Sequence, residues 1–155
     1  MPRSTIARID LDALRRNFQT AQRRAGGGRV MAVVKADGYG HGIGPVASAL
    51  DSLAPKYAVA CLEEARAIRE TGLIQPVVLL QGVHAEADID ECARNGFEPV
   101  FHSFQQLAWL ERLENWPAFW LKVNSGMNRL GFHPDELAGV MSRLQAMRAD
   151  TELLG

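Results

Sequence analysis

Cysteine is scarce in this sequence. Cys61 and Cys92 are the only two among 155 residues, and they lie far apart with neither a CxxC spacing nor a histidine cluster beside them. That pattern argues against a zinc site, and both thiols are expected to be reduced, inert and buried. An excess of one charge sign is also missing: 17 Lys and Arg against 18 Asp and Glu leave a formal charge of -1, so nothing favours nucleic acid or an anionic membrane surface. No apolar stretch approaches the roughly 20 residues that cross a bilayer. The N-terminus, "MPRSTIARIDLDAL", lacks the continuous apolar segment of a signal peptide, and a cytoplasmic location is expected. What the sequence does have is 47% hydrophobic and 23% charged residues, enough for one domain with a substantial core.

Short apolar runs alternate with segments of helical period, the pattern of βα repeats around a parallel sheet. "IARIDL" reads as a leading strand, and Leu14, Phe18 and Ala21 recur at helical spacing over residues 12–24. "AGGG" then ends that helix; because it precedes a strand, it is poorly placed to cradle a phosphate in the Rossmann manner. "RVMAVVK", "KYAVACL", "QPVVLLQGV", "FEPVFHS" and "AFWLKVN" read as strands, separated by helices over 43–53, 63–71, 85–95 and 104–113. A further helix over 134–148 leads into "TELLG", which reads as the start of a sixth strand. Five units plus that start fit part of a (β/α)8 barrel of about 200 to 250 residues. An open doubly wound sheet is the competing architecture.

In both architectures the reactive groups gather at the C-terminal ends of the parallel strands. Lys35 closes such a strand in "VMAVVKADGYGHG", where alternation puts Met31, Val33 and Lys35 on one face. An amine held at a barrel rim is partly desolvated, which favours its free, nucleophilic form; a strand-end lysine reaching to solvent is the plainer alternative. Asp37, Gly38, Gly40 and Gly42 permit a tight turn with positive φ, through which the Tyr39 hydroxyl could fold back over the strand end. His41 reads as an acid-base group or a structural hydrogen-bonder. A second strand end, "LKVNSGMNRLGF", carries Lys122 and, past a turn, Arg129. Burying Lys122 beside Arg129 is costly unless the lysine is neutralised or paired; a surface ion pair is the alternative.

"ARIDLDALRRN", "AVVKADGYGHG" and "LKVNSGMNRLGF" together resemble the alanine racemase family, whose catalytic domain is a (β/α)8 barrel, and they match it in order and spacing. The resemblance implies an isomerase that interconverts L- and D-alanine with pyridoxal 5'-phosphate, serving D-alanine supply for peptidoglycan or alanine catabolism. It implies that Lys35 forms the internal aldimine, that Tyr39 binds the cofactor phosphate, and that Arg129 approaches the phenolic oxygen and the substrate carboxylate. It further implies carbamylation of Lys122, which would pair it with Arg129. Asn124 stands where many relatives have aspartate. Family members are homodimers that take a second base, a tyrosine, from a C-terminal β-domain across the interface. Residues 1–155 are expected to be the N-terminal part of the barrel, with the rest of the barrel and that β-domain outside the chain. The alternatives are a non-catalytic cofactor-binding or interaction module, and a racemase for another amino acid such as serine.

Other features carry little. Glu86, Asp88, Asp90 and Glu91 fall in the first turns of a helix and read as a solvated face favoured by the helix dipole. Trp109, Trp116 and Trp120 read as packing residues, and His84, His102 and His133 receive no role.

Overall fold

Residues 5–147 are described by a computed structural model of the chain. Helix α1 (Leu11–Arg24) begins where the Asp10 carboxylate accepts the amides of Asp12 and Ala13, at 3.0 and 2.9 Å. These are donors that a first helical turn leaves unpaired. The strand expected from "IARIDL" does not form. Residues 5–10 carry no strand, and Ile6 is 83% exposed. No ladder runs beside them among the described residues, so the Asp10 cap decides the local structure and starts the helix.

Each of the other five apolar runs contains a strand: β1 (Ala32–Val33), β2 (Tyr57–Val59), β3 (Val77–Leu79), β4 (Phe97–Phe101) and β5 (Trp120–Leu121). Between them lie α2 (Ile43–Leu50), α3 (Leu62–Glu70), α4 (Glu86–Asn95) and α5 (Phe104–Leu110). A 3-10 turn at Pro134–Glu136 then leads into α6 (Leu137–Met147). The "TELLG" run lies outside the described residues.

The strands pair in the order β1-β2-β3-β4-β5, all parallel. This decides between the two architectures. A doubly wound sheet reverses its order at a switch point and carries helices on both faces. Here the order never reverses. Ala32, Val34, Tyr57, Val59, Val77, Leu79, Phe97 and Phe101 pack on one face against the helices in the main core. Ala58, Val78 and Val100 form a second, smaller cluster on the opposite face, with Met31, Leu80 and Trp120 beside it. Helices outside and a separate apolar face inside, wound in sequence, make a partial (β/α)8 barrel. The inner face ends at a rim formed by the residues that follow each strand.

Candidate active site

The ladder itself aims the rim residues. Val34 donates to the Ala58 carbonyl at 2.8 Å, Leu80 to the Val59 carbonyl at 2.9 Å and Lys122 to the Phe101 carbonyl at 2.9 Å. Sheet pairing therefore extends to the residue just before Lys35 and to Lys122 itself. Since side chains alternate, Val34 points into the helical core while Lys35 faces the inside. Lys35, Lys122 and Arg129 line one cavity of about 400 Å³, together with Ala60, Leu80, Gln81, His84, His102 and Leu130. Among the described residues, none of the ion pairs includes any of the three cations. Among the described residues Lys122 has no ion-pair partner.

Behind Lys35 the backbone makes a left-handed turn. Ala36, Asp37, Gly38 and Tyr39 have φ of 52°, 51°, 62° and 55°, a conformation costing roughly 1–2 kcal/mol for each residue with a Cβ. Side chains offset that cost. The Asp37 carboxylate accepts the Ile43 amide at 2.7 Å, and the His41 Nδ1–H donates to the carbonyls of Gly38 and Tyr39 at 3.1 and 3.0 Å. His41 is thus a structural hydrogen-bonder. Glu64 in α3 accepts the Ala36 amide at 2.6 Å. Tyr39 does not reach the cavity of Lys35; its side chain, 60% exposed, lines a neighbouring space with Phe18, Val33 and Leu14.

The second loop is organised by Asn124. Its Oδ1 accepts the amides of Gly126 and Asn128 at 3.1 and 2.9 Å, and its Nδ2 donates to Asn128 Oδ1 at 2.8 Å. The first two bonds are those an aspartate would make. The third requires the amide, so the departure from the family pattern is locally accommodated. The loop closes where Phe132 donates to the Lys122 carbonyl and Asn124 to the Phe132 carbonyl, both at 2.9 Å. Gly131 lies inside this closure with φ of 121°, and a Cβ there would stand 2.7 Å from the Asn124 amide nitrogen. Arg129 is presented from the exposed crest.

A family model described as alanine racemase, N-terminal domain, matches residues 9–155. The chain belongs to the alanine racemase family. It is 59% identical over 145 residues to the alanine racemase of Marinobacter nauticus, covering 94% of this chain and 40% of that protein. With the alanine racemase of Thioalkalivibrio sulfidiphilus it shares 48% over 151 residues, 95% of this chain and 42% of that protein. The crystal structure of biosynthetic alanine racemase from Pseudomonas aeruginosa superposes with a TM-score of 0.86 at 35% identity, covering 94% of this chain and 41% of that one. The chain thus spans about two fifths of the length of the curated relatives it matches.

Sequence reasoning missed several residues at this rim. His84 and His102, which the sequence gives no role, both line the cavity. His102 Nε2 lies 3.0 Å from the Gln81 carbonyl, and the His102 amide donates to Gln106 at 2.9 Å. The available signal was that His102 directly follows β4 and that His84 lies in the loop between β3 and α4. Glu64 had no such signal, because its contact lies 28 residues away. No helix among the described residues is long and apolar enough to cross a membrane.

Proposed function

We propose that this chain carries the lysine-bearing part of an amino-acid racemase site that works with pyridoxal 5'-phosphate and acts on alanine. The observation that supports it is the meeting of Lys35, Lys122 and Arg129 in one cavity of about 400 Å³ at the strand ends. Three cations with no carboxylate partner among the described residues suit a ligand carrying a phosphate and a carboxylate, and Ala60 and Leu80 offer an apolar wall for a ring. The residues present therefore fit the cofactor. When bound, it supplies an electron sink for negative charge at the amino-acid Cα.

Lys35 would hold the cofactor covalently through its Nζ amine. The same Nζ, when free, would take or return the substrate α-proton from its face. Arg129 would orient the substrate carboxylate and approach the phenolic oxygen of the cofactor, whereas Tyr39, whose side chain lies outside the Lys35 cavity, would have to turn from the space it lines with Phe18 and Val33 to bind the phosphate. Carbamylation of Lys122, in which the amine adds carbon dioxide and loses a proton, gives Arg129 an anionic neighbour. The second base is a tyrosine of the partner subunit in a cytoplasmic homodimer, and the reaction serves D-alanine supply for peptidoglycan or alanine catabolism. Alanine is chosen because curated relatives at 40 to 59% identity carry that name.

The test is borohydride trapping with pyridoxal phosphate, followed by peptide mapping, on protein expressed from its complete reading frame. Label at Lys35, lost in Lys35→Ala, supports the reading; an unlabelled Lys35 overturns it. D-alanine formation from L-alanine by the same protein tests the substrate, and serine turnover in its place would move the assignment to another amino acid.

A further inference from the structure

We propose that Glu64 is a positioning residue for Lys35, an inference that rests on the reading of Lys35 as the point of cofactor attachment. The first turn of α3 follows β2, and there the Glu64 carboxylate divides its two oxygens between two strand ends. Oε2 accepts the Ala60 amide at 2.8 Å, at the end of β2; Oε1 accepts the Ala36 amide at 2.6 Å, in the residue directly after Lys35.

Half of this is ordinary capping. Asp88 in α4 does the same for its own unit, accepting the amides of His84 and Ala85 at 3.2 and 3.0 Å. Gln106 in α5 accepts the His102 amide at 2.9 Å and also reaches back to the preceding unit, where its Nε2 donates to the Val83 carbonyl at 3.0 Å. That pair of partners, one amide and one carbonyl, suits a glutamine. Glu64 meets its two amides with different oxygens, so a glutamine in the same pose would turn its NH2 group onto one of them. The second bond adds nothing to the helix. What it does is hold Ala36 at φ of 52°, where a residue with a Cβ resists staying, and the Cα of Lys35 is fixed by the peptide on either side. Val34 is already held by the ladder to Ala58. With Glu64 gripping the following amide, the lysine stem leaves the rim in a defined direction, toward the cavity it shares with Lys122 and Arg129. A reacting atom displaced by about 1 Å loses on the order of a hundredfold in rate.

The test compares Glu64→Gln, Glu64→Asp and Asp88→Asn in protein from the complete reading frame, with pyridoxal phosphate itself as the probe. Glutamine keeps the length but has one acceptor oxygen, and aspartate keeps the charge but is one methylene too short to span both amides. Thermal melts report the capping role, and all three variants are expected to melt slightly lower. The rate of visible-band appearance, with Lys35 label after borohydride, reports positioning. It is expected to fall about tenfold or more in both Glu64 variants and to stay unchanged in Asp88→Asn. Equal rates in Glu64→Gln and the unsubstituted protein, or an equal fall in Asp88→Asn, overturn the inference alone. No label on Lys35 in the unsubstituted protein overturns the reading of the site and this inference with it.

Discussion

The Glu98 carboxylate meets the Lys56 ammonium on the inner face of the sheet, at 2.7 and 2.5 Å, at the strand ends opposite Lys35. Trp120 on β5 completes the arrangement. Its Nε1 donates to Glu98 at 2.8 Å, and Lys56 lies 5.1 Å from the centre of its ring. One carboxylate thus ties together the bases of β2, β4 and β5, and at 5% exposure it has almost no water to replace a lost partner.

Removing Glu98 should therefore cost more than removing a surface carboxylate. Glu98→Ala leaves a largely buried ammonium and an indole N–H unpaired, a loss of about 3 kcal/mol by analogy with broken buried pairs. Glu98→Gln keeps an acceptor for Trp120 and should lose less. Urea denaturation of the three proteins checks the order, and equal midpoints would show that this end of the sheet is solvated.

Gly131 supports the Arg129 loop from within. Gly131→Ala forces a Cβ onto the Asn124 backbone at a φ that side chains avoid, a strain of about 1–3 kcal/mol if nothing else moves. The easier relief is to open the loop, which displaces Arg129. The expected outcome is a lower melting temperature together with weaker retention of pyridoxal phosphate in equilibrium dialysis. Asn124→Asp keeps the two bonds to the Gly126 and Asn128 amides and loses only the donor to Asn128 Oδ1, so its cost should stay near 1 kcal/mol.

Acid should weaken the outer layer through two arginine clamps. Arg66 holds Glu91 across α3 and α4 at 2.6 and 2.7 Å, and Arg143 holds Glu111 at 2.5 and 2.7 Å. Hydrogen bonds from the guanidinium are the main reason each carboxyl lies below its ordinary 4.5. A carboxyl with a lowered folded-state pKa contributes stability above its unfolded value, and that contribution is lost as pH falls through the folded one. Stability should hold steady down to pH 4.5 and decline below it. Glu91→Gln and Glu111→Gln should each flatten part of that decline in melts taken across the acid range.

These interactions also mark how far the sequence could be read. The runs holding β2, β3 and β4 were legible because those strands are packed from both sides, as Val77, Val78 and Leu79 are in β3, whereas Val33 in β1 is exposed. The turn after Lys35 was legible because Gly38, Gly40 and Gly42 signal positive φ, although Ala36 and Tyr39 adopt it without being glycines. "IARIDL" misled because alternation alone cannot supply a neighbouring strand. Strand order, which separates barrel from doubly wound sheet, and the grip of Glu64 on Ala36 or of Glu98 on Lys56 join positions 28 and 42 residues apart. No local pattern encodes such pairings.

The two thiols test the packing of the outer layer from another side. Cys92 is buried in α4, and burial, with Asp88 and Glu91 adding to it, pushes its thiol up to about 12. Cys61, half-buried before α3, is also raised, chiefly by burial, but the Glu64 amide opposes the shift. Only the thiolate attacks a disulfide reagent, so at mildly alkaline pH Cys61 should react first. Cys92 should then react only when the helix leaves the sheet, and its rate in rising urea should follow unfolding of the whole domain. Labelling of Cys92 at the rate of Cys61 in native buffer would mean that α4 opens on its own, and that the Arg66–Glu91 clamp does not hold it to α3.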